Sequence, residues 1–167
     1  MKNSYQVRAQ KTWNVLKNYV LGCGEEEHLY QRAVRAFNRD YHRKVELHFG
    51  SVRMCFVTSD YVIIMNYRED RVMFFGGCEE EYKRYHDAYE NDCENAFCPI
   101  DKLDEYAYVM PRCKIEDYWD ETDVATFWNE CSDDECSYVE YYVGDIHGQN
   151  VGKYRGRIVL IDYACAN

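Results

Sequence analysis

The hydrophobic period of this chain changes at Val45, and that change limits the folds open to it. Before Val45, apolar residues recur at helical spacing: Trp13, Leu16 and Val20, then Leu29, Ala33, Phe37 and Tyr41. From Val45, the run Val45-Glu46-Leu47-His48-Phe49 alternates, as a half-buried strand does. Helical and extended patterns kept in separate blocks imply the α+β class.

The first block predicts a helix over 5–20, ended by Gly22 and Gly24, and a second starting near Glu25. Glu25, Glu26 and Glu27 lie where negative charge favours the helix dipole. Both apolar stripes predict packing rather than a site. In the second block Gly50-Ser51 breaks the first strand, 52–57 resumes it, Ser59-Asp60 turns, and 61–67 is a nearly continuous apolar strand. Three antiparallel strands follow from this. The apolar run 72–75 has no assigned place. Gly76 and Gly77 precede an acidic-fronted helix over 79–89. Runs 97–100 and 106–110 predict two short strands around a turn at Asp101-Lys102, with Pro99 placing the first at an edge and Pro111 ending the second. Val124, Phe127 and Trp128 predict a helix to about Cys131, capped by Asp123.

At 167 residues, 47% of them apolar, the chain can bury one core. It has no run long enough to cross a bilayer, and Met1-Lys2-Asn3-Ser4-Tyr5 starts no apolar signal region, so no membrane partner and a cytoplasmic location are expected. Nine cysteines suit buried thiols in a reducing compartment better than a disulfide framework. A net charge of −10 argues against nucleic-acid binding through a basic surface. Residues 115–145 hold eleven acids and no Lys or Arg. That run is a solvated face or a phosphate mimic, and its Tyr118, Trp119, Phe127 and Trp128 favour packing for much of it.

The chemistry-bearing stretch is Gly144-Asp145-Ile146-His147-Gly148-Gln149-Asn150, followed by Ile158-Val159-Leu160-Ile161-Asp162. An Asp, an Asn five residues on, and a strand delivering another Asp supply one carboxylate for a proton and two oxygen donors for Mg²⁺. This stretch resembles the catalytic loop and metal-binding Asp of kinase-fold phosphotransferases. The Asp-x-His variant is similar to aminoglycoside- and choline-kinase-like enzymes and to small kinase-like proteins of bacteriophages. Tyr163 and Ala164 stand where the family's Phe and Gly follow the metal-binding Asp. The order of five strands with a helix after the third is that of the family's small lobe.

The resemblance implies a minimal protein-kinase-like fold: an N-terminal helical extension over 1–44, a five-stranded antiparallel small lobe over 45–111, and a truncated large lobe over 112–167. It implies ATP and Mg²⁺ as cofactors, with transfer to hydroxyls of a host protein substrate if the chain is phage-encoded. Asp145 would take or orient the hydroxyl proton, His147 would prop the loop, and Asn150 and Asp162 would hold Mg²⁺, joined by a β-hairpin turning at Gly152 and Gly156. Gly50, Ser51 and Arg53 stand where the phosphate loop would be, Glu80 and Glu81 are the candidates for the helix glutamate with Glu81 preferred, and Met110 lies in the segment that would hold adenine. The family's phosphate-binding Lys is replaced by Ile64 (or Met65), with Arg53 on the neighbouring strand as the substitute cation.

Two other readings stay open, and two more are weaker. The missing Lys fits a pseudokinase that binds a host partner without catalysis. The acidic run fits a decoy that inhibits a nucleic-acid-binding enzyme. Cys93-x₄-Cys98 and Cys131-x₄-Cys136, with Cys113, reach the upper limit of zinc-ligand spacing, but buried or surface thiols are the better expectation. Gly-Asp-x-His-Gly also opens metallophosphoesterase sites, whose later His clusters have no counterpart after Gly148.

Overall fold

The computed structural model describes residues 4–68, 72, 76–114, 122–143 and 146–162. It is α+β and divides into two compact units, Met1–Phe74 with Asp101–Arg112, and Phe75–Ile100 with Cys113–Asn167. Among the described residues no helix is long and apolar enough to cross a membrane.

In the first unit, α1 (Ser4–Val20) and α2 (Glu27–Tyr41) are separated by Gly22 and Gly24, both at positive φ. His42 ends α2 in the left-handed conformation, and its N–H donates to the Asn38 carbonyl. The Asn38 amide then clamps the start of the sheet, accepting from the Val45 N–H at 3.0 Å and donating to its carbonyl at 2.8 Å. The sheet comprises β1 (Glu46–Phe49), β2 (Arg53–Val57), β3 (Tyr61–Asn66), β4 (Asp101–Lys102) and β5 (Ala107–Pro111). It is antiparallel, in the order β1-β2-β3-β5-β4.

Alternation divides the sheet's faces. Met54, Phe56, Ile63, Met65, Ala107 and Val109 face the helices and join Trp13, Leu16, Val20, Val34 and Phe37 in one core. α1 therefore packs as its stripe predicts, whereas α2 buries Tyr30, Val34 and Phe37: of its expected stripe only Phe37 is buried, Leu29 and Ala33 are half-buried, and Tyr41 is exposed. Trp13 is fully buried, with its ring 6.4 Å from Phe56 and its indole N–H donating to Asp104 at 2.7 Å. Asp104 lies in the β4–β5 turn and also accepts from the Tyr106 N–H and the Lys17 ammonium. One carboxylate thus pins that turn to α1.

Burial alone would raise the Asp104 pKa, but the Tyr106, Trp13 and Lys17 donors outweigh it and hold the carboxyl below its usual value. A folded-state pKa below the unfolded one stabilises above the unfolded value, near pH 4, and is lost as pH falls through the folded value. The gap in Tm between the wild type and Asp104→Asn should therefore be widest near neutrality and shrink below about pH 4. A gap that stays constant from pH 7 to 2.5 would disprove the linkage.

The second unit holds α3 (Cys78–Glu90), a 3-10 turn at Glu94–Ala96, α4 (Thr122–Glu130), α5 (Asp133–Tyr142), a 3-10 turn at Gly148–Asn150, and the hairpin β6 (Val151–Tyr154) and β7 (Arg157–Leu160). A capping box starts α5: Ser132 accepts from the Glu135 N–H, and Glu135 accepts from the Ser132 N–H. Tyr138 joins α5 to α3 through a 2.6 Å hydrogen bond to Asp87. Glu130, ending α4, accepts from the Ile158 N–H of β7 at 2.9 Å.

Four further expectations need correction. The run 97–100 is not a strand of the sheet; Phe97 bridges Leu160, and Asp101-Lys102, expected as a turn, is β4 itself. Asp123 lies inside the first turn of α4 rather than at its cap. Gly152 is not a turn residue: Arg155 and Gly156 make the β6–β7 turn, both at positive φ. Most of the run 72–75 lies outside the described residues.

Gly152 has a packing reason instead. A Cβ there would stand 2.9 Å from the Cys113 Cβ. Gly152→Ala should cost about 1–3 kcal/mol through overpacking, measured by urea denaturation. A cost below about 0.5 kcal/mol would mean that Cys113 moves aside freely.

Candidate functional site

Each unit carries part of the predicted site. In the first, Gly50 and Ser51 form the tight β1–β2 connection. The Gly50 N–H donates to the Arg53 carbonyl at 2.8 Å, and the Tyr67 hydroxyl donates to the Gly50 carbonyl at 3.1 Å. This is a closed turn, with both residues exposed. Arg53 opens β2 opposite Asn66, while Ile64 pairs with Cys55 on β2 and with Tyr108 on β5. Directly opposed residues share a face, so Arg53, Cys55, Ile64, Tyr108 and Met110 lie on the sheet face away from the helical core. Arg53 is the diagonal neighbour of Ile64, a relation that spans about 7–8 Å between backbones and lies within reach of a long side chain. Met110 is buried opposite Val62, just beyond the end of β4, which pairs only as far as Val109.

In the second unit Gly144 and Asp145 lie outside the described residues. His147 is the N-cap of the 3-10 turn Gly148–Asn150, and its Nδ1 accepts from the Gln149 N–H at 3.3 Å. An accepting Nδ1 leaves the proton of a neutral imidazole on Nε2. The His147 carbonyl accepts from the Asn150 N–H at 2.8 Å.

The register of β6 and β7 pairs Val151 with Leu160. The Ile161 N–H donates to the Asn150 carbonyl at 2.8 Å, which extends that ladder by one step. Asn150 and Asp162 therefore both lie at the open end of one hairpin, half-buried, with Asn150 opposite Ile161, the residue before Asp162. Their amide and carboxylate oxygens are hard donors of the kind Mg²⁺ takes. Among the described residues no three Cys, His, Asp or Glu side chains are grouped to hold a metal.

Glu81 is 1% exposed on the first turn of α3. Its charge helps raise the pKa of Cys98, so the two lie near each other within this unit. Burial, with the charge of Glu135, pushes the Cys131 thiol up to about 12, which keeps it protonated and suits a structural role better than metal ligation.

One feature of the first unit lies outside every predicted site. A cleft of about 130 Å³ between α1 and α2 is lined by Arg8, Lys11 and Arg43, with Phe37 and Tyr41 on its wall. Arg8 is paired there with Asp60. The signal for it is the excess of Lys and Arg before Val45, set against the acidic remainder.

No family model, curated protein or solved structure matches this chain.

Proposed function

We propose that this protein is an ATP- and Mg²⁺-dependent phosphotransferase acting on protein hydroxyls, encoded by a bacteriophage and directed at host proteins. The observation that carries the reading is the β6–β7 hairpin, which starts directly after Asn150 and brings the chain back to Asp162, with the Ile161 N–H bonded to the Asn150 carbonyl at its open end. The five-stranded antiparallel sheet, with α3 following its third strand in the chain, supports it further.

Asn150 and Asp162 would hold the metal through oxygen, and a bound Mg²⁺ would neutralise charge on the ATP phosphates. Asp145 would accept or orient the proton of the substrate hydroxyl. His147, tied to the Gln149 N–H, would keep that loop in shape. Arg53 would bring positive charge to the phosphates from β2, next to the position where the family's Lys is replaced by Ile64. Met110 would offer its backbone to adenine. Little covalent chemistry is asked of these groups, since positioning and charge stabilisation dominate phosphoryl transfer.

The test is incubation with Mg²⁺ and labelled ATP, with and without host extract, beside Asp145→Ala. Transfer that disappears in the variant supports the enzyme. An absence of both transfer and nucleotide binding would sink it. Arg53→Ala should weaken nucleotide binding at least tenfold, from the ~1.5–3 kcal/mol carried by a hydrogen bond to a charged group. Unchanged affinity would remove Arg53 from the site.

A pseudokinase is the second reading, favoured by the burial of Ile64 between Cys55 and Tyr108. Nucleotide binding without transfer in the same experiment would select it.

A further inference from the structure

We infer that Cys98 and Cys113 are a modification site: a thiol pair that a small-molecule disulfide of the glutathione type closes into a reversible intrachain disulfide. The two sulfurs stand 3.2 Å apart. A disulfide bond is about 2.05 Å long, so closure asks for an approach of roughly 1 Å.

The surrounding backbone holds the pair in place. The Cys98 N–H donates to the Leu160 carbonyl at 2.7 Å, which fixes Cys98 beside β7. Lys114, next to Cys113, exchanges two backbone hydrogen bonds with Lys153 of β6, at 3.0 and 2.7 Å. Cys113 thereby rests on Gly152, where the missing Cβ leaves room for it. Both cysteines are thus tied to one hairpin, one beside each strand, and meet over it.

Their accessibility differs in the way a two-step exchange requires. Cys113 is partly exposed and open to a small oxidant, while Cys98 is 1% exposed. The Cys113 thiolate attacks one sulfur of the small disulfide, forming a mixed disulfide and releasing one thiol. Cys98, having lost its proton to solvent, then attacks the Cys113 sulfur and releases the second thiol. In total two protein thiols and one small disulfide become one protein disulfide and two small thiols, so electrons and protons balance. Burial, and after it the hydrogen bond with Cys113, pushes the Cys98 thiol well up, which makes the second step the slow one.

The location gives the bond a consequence. The chain leaves the second unit after Ile100 and returns at Cys113, and between them runs the β4–β5 segment of the first. Closure ties the two ends of that excursion together. The inference does not depend on phosphotransferase activity.

The test uses the full, reduced chain in a buffer of reduced and oxidised glutathione, quenched with a maleimide and digested without reductant. Mass spectrometry should find the Cys98 peptide joined to the Cys113 peptide, in yield at least tenfold above any other cysteine pair, and separated again by dithiothreitol. Cys98→Ser, which cannot complete the second step, should retain glutathione on Cys113 at several times the wild-type level. Cys113→Ser should leave Cys98 reduced. A linkage of Cys98 to Cys93 in comparable yield would overturn the assignment. So would a wild type that stays unlinked while Cys23 or Cys136 takes up glutathione.

Discussion

Trp13→Ala should cost the first unit about 3–5 kcal/mol, the range for truncating a fully buried aromatic side chain. Trp13 has no exposed surface and lies among α1, α2 and the sheet, against Phe56. Two losses combine. Loss of the ring leaves a cavity in the core that the helices and the sheet share. Asp104 also loses the indole donor that helps hold its carboxylate in the β4–β5 turn. Trp13→Phe helps to separate these, since it removes the N–H while keeping most, though not all, of the packing. Urea denaturation followed by circular dichroism should place Trp13→Phe between the wild type and Trp13→Ala. A loss below about 1 kcal/mol for Trp13→Ala would show that the unit does not depend on this core.

Glu135→Ala should cost the second unit about 2–3 kcal/mol, below the 3–5 typical of a fully buried broken ion pair because the arginine partner is partly solvated. The Glu135 carboxylate completes the capping box of α5 and accepts from Arg157 at 2.7 Å. Its side chain is 6% exposed, that of Arg157 32%. Removing the acid leaves a half-buried guanidinium with the Glu130 carbonyl and the Cys131 thiol as remaining partners. Glu135→Gln keeps the capping hydrogen bond and drops the charge, so it should recover part of the loss. A double-mutant cycle with Arg157→Ala measures the pair itself. A coupling near zero would reduce Glu135 to its cap.

The outline of the fold was legible wherever a pattern ran for several residues. The helical stripes before Val45 and the alternation after it mark α1, α2, β1, β2 and β3 within one or two residues. β4 was not legible, because two residues carry no period, and the apolar run beside it pairs with Leu160 instead. α5 was not expected: its capping signature, Ser132-Asp133-Asp134-Glu135, is present, but residues 138–143 read as an apolar run leading into the polar loop. In the candidate site, the hairpin between Asn150 and Asp162 was expected from the family resemblance, which their separation fits, and the antiparallel register of β6 and β7 bears that hairpin out. The meeting of Cys98 with Cys113 was hidden. Sequence spacing favours Cys93 as the partner, and only a chain that leaves as β4 and returns as β5 brings Cys113 back.

The split of the first unit into two chain segments bears on how the protein is made. In the sheet, β5 lies between β3 and β4, yet α3, which belongs to the other unit, is synthesised before it. A growing chain therefore presents β3, with its run Tyr61-Val62-Ile63-Ile64-Met65, as an unpaired edge until the ribosome has delivered Pro111. Such an edge is a template for pairing with another nascent chain. The helices α1 and α2 are already available by then to cover one face of the strand. During translation they would act as the chain's own holdase, and synthesis slowed between α3 and β5 should raise aggregation sharply.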